Sequence, residues 1–206
     1  MKDSCVFVVE DDSSMRAALK NLMRSVGLEA QLFASATEFL KAELPDVPSC
    51  LILDVRLPGM SGLELQKQLH TDENPIPIIF ITAHGDIPMS VRAIKSGAVD
   101  FLTKPFRDQD LLDAIHAALS QDRLRRERDQ TLADLRERLQ LLTSRERELL
   151  PLIVSGSSNK EVAAKIGTSE ITVKVHRGNV MRKMRAASFA ELLRMASDLQ
   201  IPYTKV

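Results

Sequence analysis

The chain has 206 residues, with 28 basic and 28 acidic side chains and 44% hydrophobic residues. This composition is ordinary for a soluble globular protein, and no run of about 18 apolar residues suggests a membrane span. The start of the chain, Met1-Lys2-Asp3-Ser4, shows no secretory pattern. We therefore expect a cytoplasmic protein in which Cys5 and Cys50 are buried, reduced thiols.

The net charge of zero conceals a division along the chain. Residues 1–120 carry 11 basic and 17 acidic side chains, a net charge of −6. Residues 121–142 carry 6 and 5, a net charge of +1, and residues 143–206 carry 11 and 6, a net charge of +5. An acidic part suits a cation site, whereas a basic part can approach the phosphates of nucleic acid. We predict two domains, at 1–120 and 143–206, and a helical linker at 121–142.

The first part, residues 1–120, alternates short apolar runs with helical patterns. Apolar runs that end near Val9, Asp54, Ile81 and Thr103 indicate parallel strands buried on both faces. Five strand–helix units along residues 1–120 predict a five-stranded, doubly wound parallel sheet, an α/β fold. The predicted helices run from Ser13 to about Val26, from Ser35 to before Pro45, and over 61–69, 87–96 and 108–119.

Polar side chains follow these apolar runs at corresponding places. Glu10-Asp11-Asp12 follow the first run, Asp54 ends the central one, Thr82 follows the next, and Lys104 follows the last. The carboxyl ends of parallel strands meet at one edge of a sheet, where ligands bind. Carboxylates suit Mg²⁺, and a hydroxyl and an ammonium can bind phosphoryl oxygens. This edge is predicted to hold a cation and to receive a phosphoryl group on Asp54, unless Asp54 merely terminates a strand.

Four motifs of this part resemble the receiver domain of two-component response regulators. They are Val8-Val9-Glu10-Asp11-Asp12, Asp54 with Pro58-Gly59, Thr82-Ala83 and Lys104-Pro105-Phe106. The resemblance implies phosphoryl transfer from a sensor histidine kinase to Asp54, with Mg²⁺ bound. Its ligands would be Glu10, Asp11, Asp54 and the backbone carbonyl of Arg56. Family receivers most often have Asp where this chain has Glu10, so Asp12 remains an alternative ligand.

The same resemblance assigns roles to three further residues. Thr82 takes the place of the family's switching hydroxyl, and Lys104 that of the lysine beside the phosphoryl group. Phe101 takes the place of the aromatic switch residue, where many receivers have Tyr. The family also has a cis bond at the position of Lys104-Pro105, as tight turns permit.

The linker segment 121–142 is dense in charge and contains neither Gly nor Pro. Its leucines recur at spacings of 3, 4 and 3, and we call them the leucine seam: Leu132, Leu135, Leu139 and Leu142. This is an a/d pattern only about two heptads long. A solvated linker helix and a dimeric coiled coil remain alternatives. We favour burial of the leucine seam in a dimer that forms when the receivers pair.

Residues 143–206 predict four helices. The first is capped at Thr143, a short one covers 159–166, a basic one runs from Thr168 or Ser169 to about Met184, and the last is capped at Ser188. A short helix, a tight turn at Gly167 and a longer basic helix form the helix-turn-helix pattern. On the basic helix we predict four inward-facing side chains: Ile171, Val173, Val180 and Met184.

The second part resembles the LuxR-type DNA-binding domain. The motifs are Leu142-Thr143-Ser144-Arg145-Glu146, Gly156 with Ser158-Asn159-Lys160-Glu161-Val162-Ala163, and Thr172-Val173-Lys174-Val175-His176-Arg177. Together the two parts resemble the NarL/FixJ class of response regulators. The chain length and the loop His84-Gly85-Asp86-Ile87-Pro88-Met89 are most similar to the FixJ branch.

This resemblance implies promoter DNA, a second copy of the chain after phosphorylation, and RNA polymerase as partners. Activation of transcription is the commoner outcome in the class. Basic side chains of the helix-turn-helix can meet phosphates or bases, and an apolar one can contact a thymine methyl. The predicted DNA-binding residues are Asn159, Lys160, Thr172, Lys174, Val175, Arg177, Gly178 and Lys183.

Three rival functions require features that differ from those of a phosphorylated DNA-binding regulator. A haloacid-dehalogenase-type enzyme with an aspartyl intermediate carries a second acid two residues after its nucleophile, where this chain has Arg56. A receiver that acts without phosphate does not need Asp54, Thr82 and Lys104 together, so the presence of all three argues against this rival. A small-molecule quorum sensor with the same DNA-binding domain does not need the acid cluster. We predict a transcription regulator and not an enzyme.

Overall fold

The computed structural model describes residues 4–70, 76–83 and 85–202. The chain divides into two compact units, Met1–Arg126 and Glu127–Val206. Within the described ranges, no helix has the length and apolar character that crossing a membrane requires. The elements of the first unit are β1 (Cys5–Val9), α1 (Ser13–Ser25), β2 (Glu29–Phe33), α2 (Ala36–Lys41), β3 (Ser49–Asp54), α3 (Gly62–His70), β4 (Ile78–Thr82), α4 (Ile87–Lys95), β5 (Asp100–Thr103) and the start of α5 (Asp108–Gln140).

The five strands form one parallel sheet in the order β2-β1-β3-β4-β5. Successive side chains of β1 alternate between two cores, with Phe7 and Val9 in one and Val6 and Val8 in the other. Helices α2, α3 and α4 contribute to the first core, and α1 and α5 to the second. Both faces of the sheet are therefore covered, and the predicted doubly wound α/β fold is confirmed.

Helix α5 is longer than the sequence predicted. The helix expected over 108–119 and the linker expected over 121–142 share one helix, Asp108–Gln140. This stretch contains no Gly or Pro to interrupt it. Asp122 is buried in the first unit and Leu135 in the second, so the linker is not a separate element.

The second unit is helical and contains, after the end of α5, α6 (Ser144–Val154), α7 (Asn159–Ile166), α8 (Glu170–Met184) and α9 (Phe189–Asp198). Thr143 and Ser158 form the capping boxes of α6 and α7. Gly167 follows α7 in the left-handed conformation with φ 68°, and Ser169 caps α8. These elements form the predicted helix-turn-helix.

One prediction for α8 is wrong, because Ile171 does not pack inward. Val173, Val180 and Met184 are buried, but the Ile171 side chain is 77% exposed. Two residues along an α-helix correspond to roughly 200° of rotation. Ile171 therefore faces away from Val173, whereas Val180 and Met184 return to the same side.

Three residues of the leucine seam pack within their own unit, whereas Leu132 is half-buried and lies outside that core. Leu135 and Leu142 are buried in the core of the second unit, and Leu139 packs against that core. These side chains are already shielded from water, so they do not offer a surface to a second copy. The prediction that a dimer buries the leucine seam is therefore wrong for Leu135 and Leu142.

Candidate functional site

The carboxyl edge of the sheet collects the polar residues that the sequence singled out. Asp54 ends β3 and pairs with Ile81, so it lies beside the end of β4, where Thr82 is the last residue. Glu10 directly follows β1, the other neighbour of β3, and Lys104 directly follows β5. Parallel strands in this register bring two acids, a hydroxyl and an ammonium to one place, as predicted.

Three carboxylates of this edge form an acidic cluster. One oxygen from each of Glu10, Asp11 and Asp54 lies within 4.8 Å of the others, which is close enough to hold a divalent cation. Asp12 is engaged elsewhere, because its Oδ1 accepts hydrogen bonds from the backbone N–H groups of Ser14 (2.7 Å) and Met15 (3.3 Å) at the start of α1. These bonds hold the pKa of Asp12 below its ordinary range. Of the two alternative ligands, Glu10 is the one in the cluster.

Lys104 joins two of these acids. Its Nζ donates to Glu10 Oε2 at 2.6 Å and to Asp54 Oδ2 at 2.7 Å. Burial works to lower the pKa of Lys104, but hydrogen bonds to Asp54 and Glu10 outweigh it and raise the pKa above its ordinary value. The Lys104 ammonium therefore stays charged beside the Asp54 carboxylate at neutral pH.

Asp54 is buried and held at both oxygens. Its Oδ1 accepts from the backbone N–H of Arg56 at 2.9 Å, and its Oδ2 accepts from Lys104. The side chain of Arg56 is exposed, and its carbonyl as a metal ligand stays a prediction. The peptide bond Lys104-Pro105 is cis, as the family resemblance implied.

Two residues that shape the site were not singled out from the sequence. Arg16 Nη1 donates to the backbone carbonyls of Glu10 (2.6 Å) and Asp11 (2.7 Å), which fixes the acidic loop. A Cβ added at Gly62 would lie 2.3 Å from the backbone oxygen of Asp54, so only glycine fits there. The position of Gly62 at a predicted helix start was a hint, whereas nothing in the sequence distinguishes Arg16 from the other arginines.

The predicted switch residues lie on neighbouring strands. Thr82 is fully buried, and Phe101 is half-buried with its ring centroid 6.2 Å from that of Phe80. Gly85, in the loop after β4, lies against Phe101, because an added Cβ would be 2.8 Å from Phe101 Cε1. The neighbouring His84 lies outside the described residues.

The predicted DNA-binding residues divide into two groups. Five are exposed: Lys160, Thr172, Lys174, Val175 and Gly178. Three are half-buried: Asn159, Arg177 and Lys183. Two of these three hold the unit together, because Arg177 Nη1 donates to the carbonyl of Ser157 at 3.0 Å and Lys183 Nζ to Glu146 Oε2 at 2.6 Å. The exposed group is therefore the better-placed part of the predicted surface.

Comparison with known families matches both parts of the chain. Residues 6–116 match the response regulator receiver domain, and residues 140–196 match the bacterial regulatory proteins of the luxR family. Nodulation protein W of Bradyrhizobium diazoefficiens is 59% identical over 95% of this chain and 86% of its own length. The transcriptional regulatory protein FixJ of Azorhizobium caulinodans is 42% identical over 93% of this chain and 90% of its own.

Two solved structures are similar along almost the whole chain. A low-resolution structure of the response regulator StyR is 48% identical, with a TM-score of 0.83, and the match covers 95% of this chain and 98% of that one. Full-length FixJ from B. japonicum is 38% identical, with a TM-score of 0.58, over 98% of this chain and 100% of the other.

Proposed function

Since this chain belongs to the transcriptional response regulators that join a receiver domain to a LuxR-type DNA-binding domain, we propose that phosphorylation of Asp54 by a sensor histidine kinase switches it. The observation that carries the proposal is the buried Asp54 carboxylate between the Arg56 N–H and the Lys104 ammonium. In the transfer, an Asp54 oxygen attacks phosphorus, the P–O bond forms and the P–N bond to the kinase histidine breaks. The imidazole leaves with the electron pair and takes up a proton.

Two neighbouring side chains would stabilise the charge that arrives with the phosphoryl group. Lys104 contacts Asp54 Oδ2 directly, so its ammonium is placed to pair with phosphoryl oxygens once they are attached. Thr82, at the end of the adjacent strand, would donate its hydroxyl to another of these oxygens. Movement of Thr82 toward the site would leave room for the Phe101 ring to follow, which is the switching role proposed for both.

Replacement of the acceptor tests this proposal. Asp54→Asn should abolish the mass increase of one phosphoryl group that acetyl phosphate produces in the intact chain, with an unchanged circular dichroism spectrum. Asp12→Asn is the matched control, because Asp12 caps α1 and Asn caps equally well. A full yield of phosphorylated Asp54→Asn protein would overturn the assignment.

A divalent cation, Mg²⁺ in the family, fits the acidic cluster. Glu10, Asp11, Asp54 and the Arg56 carbonyl would hold it, and hard oxygen ligands of this kind are those Mg²⁺ prefers. When bound, the cation neutralises phosphoryl oxygens at the acceptor. Asp11→Asn should weaken Mg²⁺ binding by at least roughly tenfold in calorimetric titration, and Asp12→Asn should leave it unchanged. Equal losses in both variants would place the cation elsewhere.

Phosphorylation is proposed to favour a homodimer of receivers. Helix α4 presents an apolar stripe to solvent, formed by Ile87 (80% exposed), Val91 (45%) and Ile94 (45%) at helical spacings of four and three. The helix starts two residues after Gly85, which lies against Phe101. A change at the Phe101 ring can therefore alter the position of this stripe, and a second copy would bury it.

A pair of valine substitutions tests the dimer surface. Val91 on α4 and Val26 at the end of α1 have the same exposure, 45%. Val91→Glu should abolish the increase in mass that acetyl phosphate causes in light scattering, whereas Val26→Glu should not. If both variants dimerise as the unchanged protein does, α4 is not the interface.

The output is proposed to be regulation at promoter DNA in the cytoplasm. Two copies joined by their receivers would place two helix-turn-helix units on two half-sites, which raises affinity through bivalency. Asn159, Lys160, Thr172, Lys174, Val175, Arg177, Gly178 and Lys183 remain the proposed DNA-binding residues. Activation through RNA polymerase is the proposed outcome, and the similarity to FixJ, a transcriptional regulatory protein, supports a transcriptional role.

The aspartyl phosphate is proposed to act as a switch and not as an intermediate of turnover. The residue two places after Asp54 is Arg56, so the second acid of haloacid-dehalogenase-type enzymes is missing from that position. Sustained release of phosphate from phosphate esters by the chain would overturn this part of the proposal.

A further inference from the structure

The exposed face of α8 carries two branched apolar side chains. Ile171 is 77% exposed and Val175 is 57% exposed. They stand four residues apart, so they are neighbours on one face of the helix. Gly178 continues this face one turn further, and an added Cβ there would meet no atom within 4 Å. This face is therefore an exposed apolar strip that a ligand of the helix can contact.

The surroundings of this strip are basic. Helix α8 carries four basic side chains against one acidic, with Lys174 exposed between Ile171 and Val175 in the sequence. Residues 143–206 carry a net charge of +5. A ligand that suits both the apolar strip and its basic surroundings is a polyanion that also exposes apolar groups between its charges. The major groove of B-DNA has phosphates on its rims and the C5-methyl group of thymine on its floor.

The position of Ile171 along the helix supports base contact. Ile171 is the second residue of α8, which is the second helix of the helix-turn-helix. The N-terminal residues of such a helix contact base edges in the major groove. Ser169 caps α8 and its Oγ lies 2.9 Å from Thr172 Oγ1, so the first turn that carries Ile171 is held in place.

We infer that Ile171 determines sequence specificity: with Val175 it contacts thymine methyl groups, and each half-site has a thymine that Ile171 reads. The inference rests on the DNA-binding function proposed above and adds a named contact to it. A contact between two apolar groups buries them from water, and loss of one methyl from such a contact weakens binding about fourfold.

Removal of single methyl groups tests the contact. The full-length protein, phosphorylated with acetyl phosphate, first selects a duplex from a random library. Each thymine of that duplex is then replaced in turn by deoxyuracil, which lacks only the C5-methyl. In the unchanged protein, at least one replacement per half-site should weaken binding about fourfold. In Ile171→Ala, that loss should disappear, while losses at other thymines remain.

Control variants keep the result interpretable. Ile171→Ala should unfold at the temperature of the unchanged protein, because the side chain is mostly exposed. Ile171→Val should retain part of the methyl dependence. Leu141→Ala, a substitution of another side chain of the second unit that is 61% exposed, should leave every deoxyuracil effect unchanged.

The outcomes separate this inference from the function on which it rests. Selection of a duplex whose half-sites lack thymine, or deoxyuracil losses that are equal in Ile171→Ala and the unchanged protein, would overturn the inference alone. Failure of the phosphorylated protein to retain any duplex would overturn the DNA-binding function and the inference with it.

Discussion

Asp122 on α5 accepts a hydrogen bond at 2.9 Å from the backbone N–H of Ser49, the first residue of β3. The carboxylate is almost fully buried, and it also accepts from Arg125 and Arg126. The far end of the same strand is Asp54. Helix α5 is thus fastened to the start of the strand whose last residue is the proposed phosphoacceptor.

Asp122→Asn should lower the free energy of unfolding of the first unit by about 1–3 kcal/mol, because two charged hydrogen bonds lose their anion. Burial works to raise the pKa of Asp122, but hydrogen bonds from Arg126, Arg125 and Ser49 outweigh it and hold the pKa below its ordinary value of 3.8. A carboxylate with a lowered folded pKa stabilises the protein above its unfolded pKa and loses this effect as pH falls through the folded pKa.

Urea unfolding of the full-length chain checks this prediction at two pH values. The difference in free energy of unfolding between the unchanged protein and Asp122→Asn should be largest at neutral pH and should decrease below about pH 4. Asp113→Asn, an exposed position on the same helix, should show no such difference. A gap that stays constant down to acid pH would show that the charge of Asp122 does not stabilise the fold.

Gly85→Ala should disturb the proposed switch. The added methyl would lie 2.8 Å from Phe101 Cε1 and 2.9 Å from Thr103 Cγ2, so the ring or the loop must shift. We expect a loss of about 1–3 kcal/mol in stability and an altered yield of phosphorylation-dependent dimer. The double variant with Phe101→Leu should recover part of the lost stability, which a double-mutant cycle measures. Strict additivity of the two changes would contradict contact between Gly85 and Phe101.

Gly178→Ala should stabilise the second unit and weaken DNA binding. An alanine in the interior of α8 gains about 1 kcal/mol over glycine, and the added Cβ meets no atom of the protein. The same Cβ would occupy space at the proposed DNA surface. Thermal unfolding and titration with the selected duplex measure the two effects. Ser197→Ala on α9 is the control, since it should raise stability slightly and leave affinity unchanged. Unchanged affinity in Gly178→Ala would mean that DNA does not approach this position.

Lys183 should contribute to the stability of the second unit, whereas Lys160 should contribute to DNA binding. Lys183 pairs with the buried Glu146, and although burial works to raise the pKa of Glu146, hydrogen bonds from Lys183 and Thr143 hold it below its ordinary range. Lys183→Met should therefore cost about 1–2 kcal/mol of stability, because it leaves a buried carboxylate without its cation. Lys160 is exposed, so Lys160→Met should leave stability unchanged while it weakens DNA binding and lowers the dependence of affinity on salt. Equal stability of the two variants would contradict this division.

The cluster of polar residues at the carboxyl edge of the sheet could be predicted from the sequence because it depends on local patterns. An apolar run fixes a strand, and the residue after the run, such as Glu10 or Lys104, then lies at the sheet edge whatever the details of packing. The role of Asp12 was harder to predict, because the sequence alone does not show which of three adjacent acids caps α1 and which face the cation site.

Other features depend on contacts between distant residues or on rotation about a helix axis. Glu146 and Lys183 are 37 residues apart, and no pattern in the sequence joins them. Ile171 is apolar like its buried neighbours, yet the turn of α8 directs it outward. The leucine seam shows the periodicity of a dimer surface, but the same periodicity serves to pack the end of α5 inside one unit.

The burial of Leu135 and Leu142 determines where this protein can be truncated or joined to another regulator. A fragment that begins at Thr143 would lack both side chains and leave a gap in the core of the second unit. The last turns of α5 therefore belong to the same folding unit as the DNA-binding domain. When output domains are exchanged between related regulators, the two sequences should be joined between Arg126 and Glu127, inside helix α5 and not at its end.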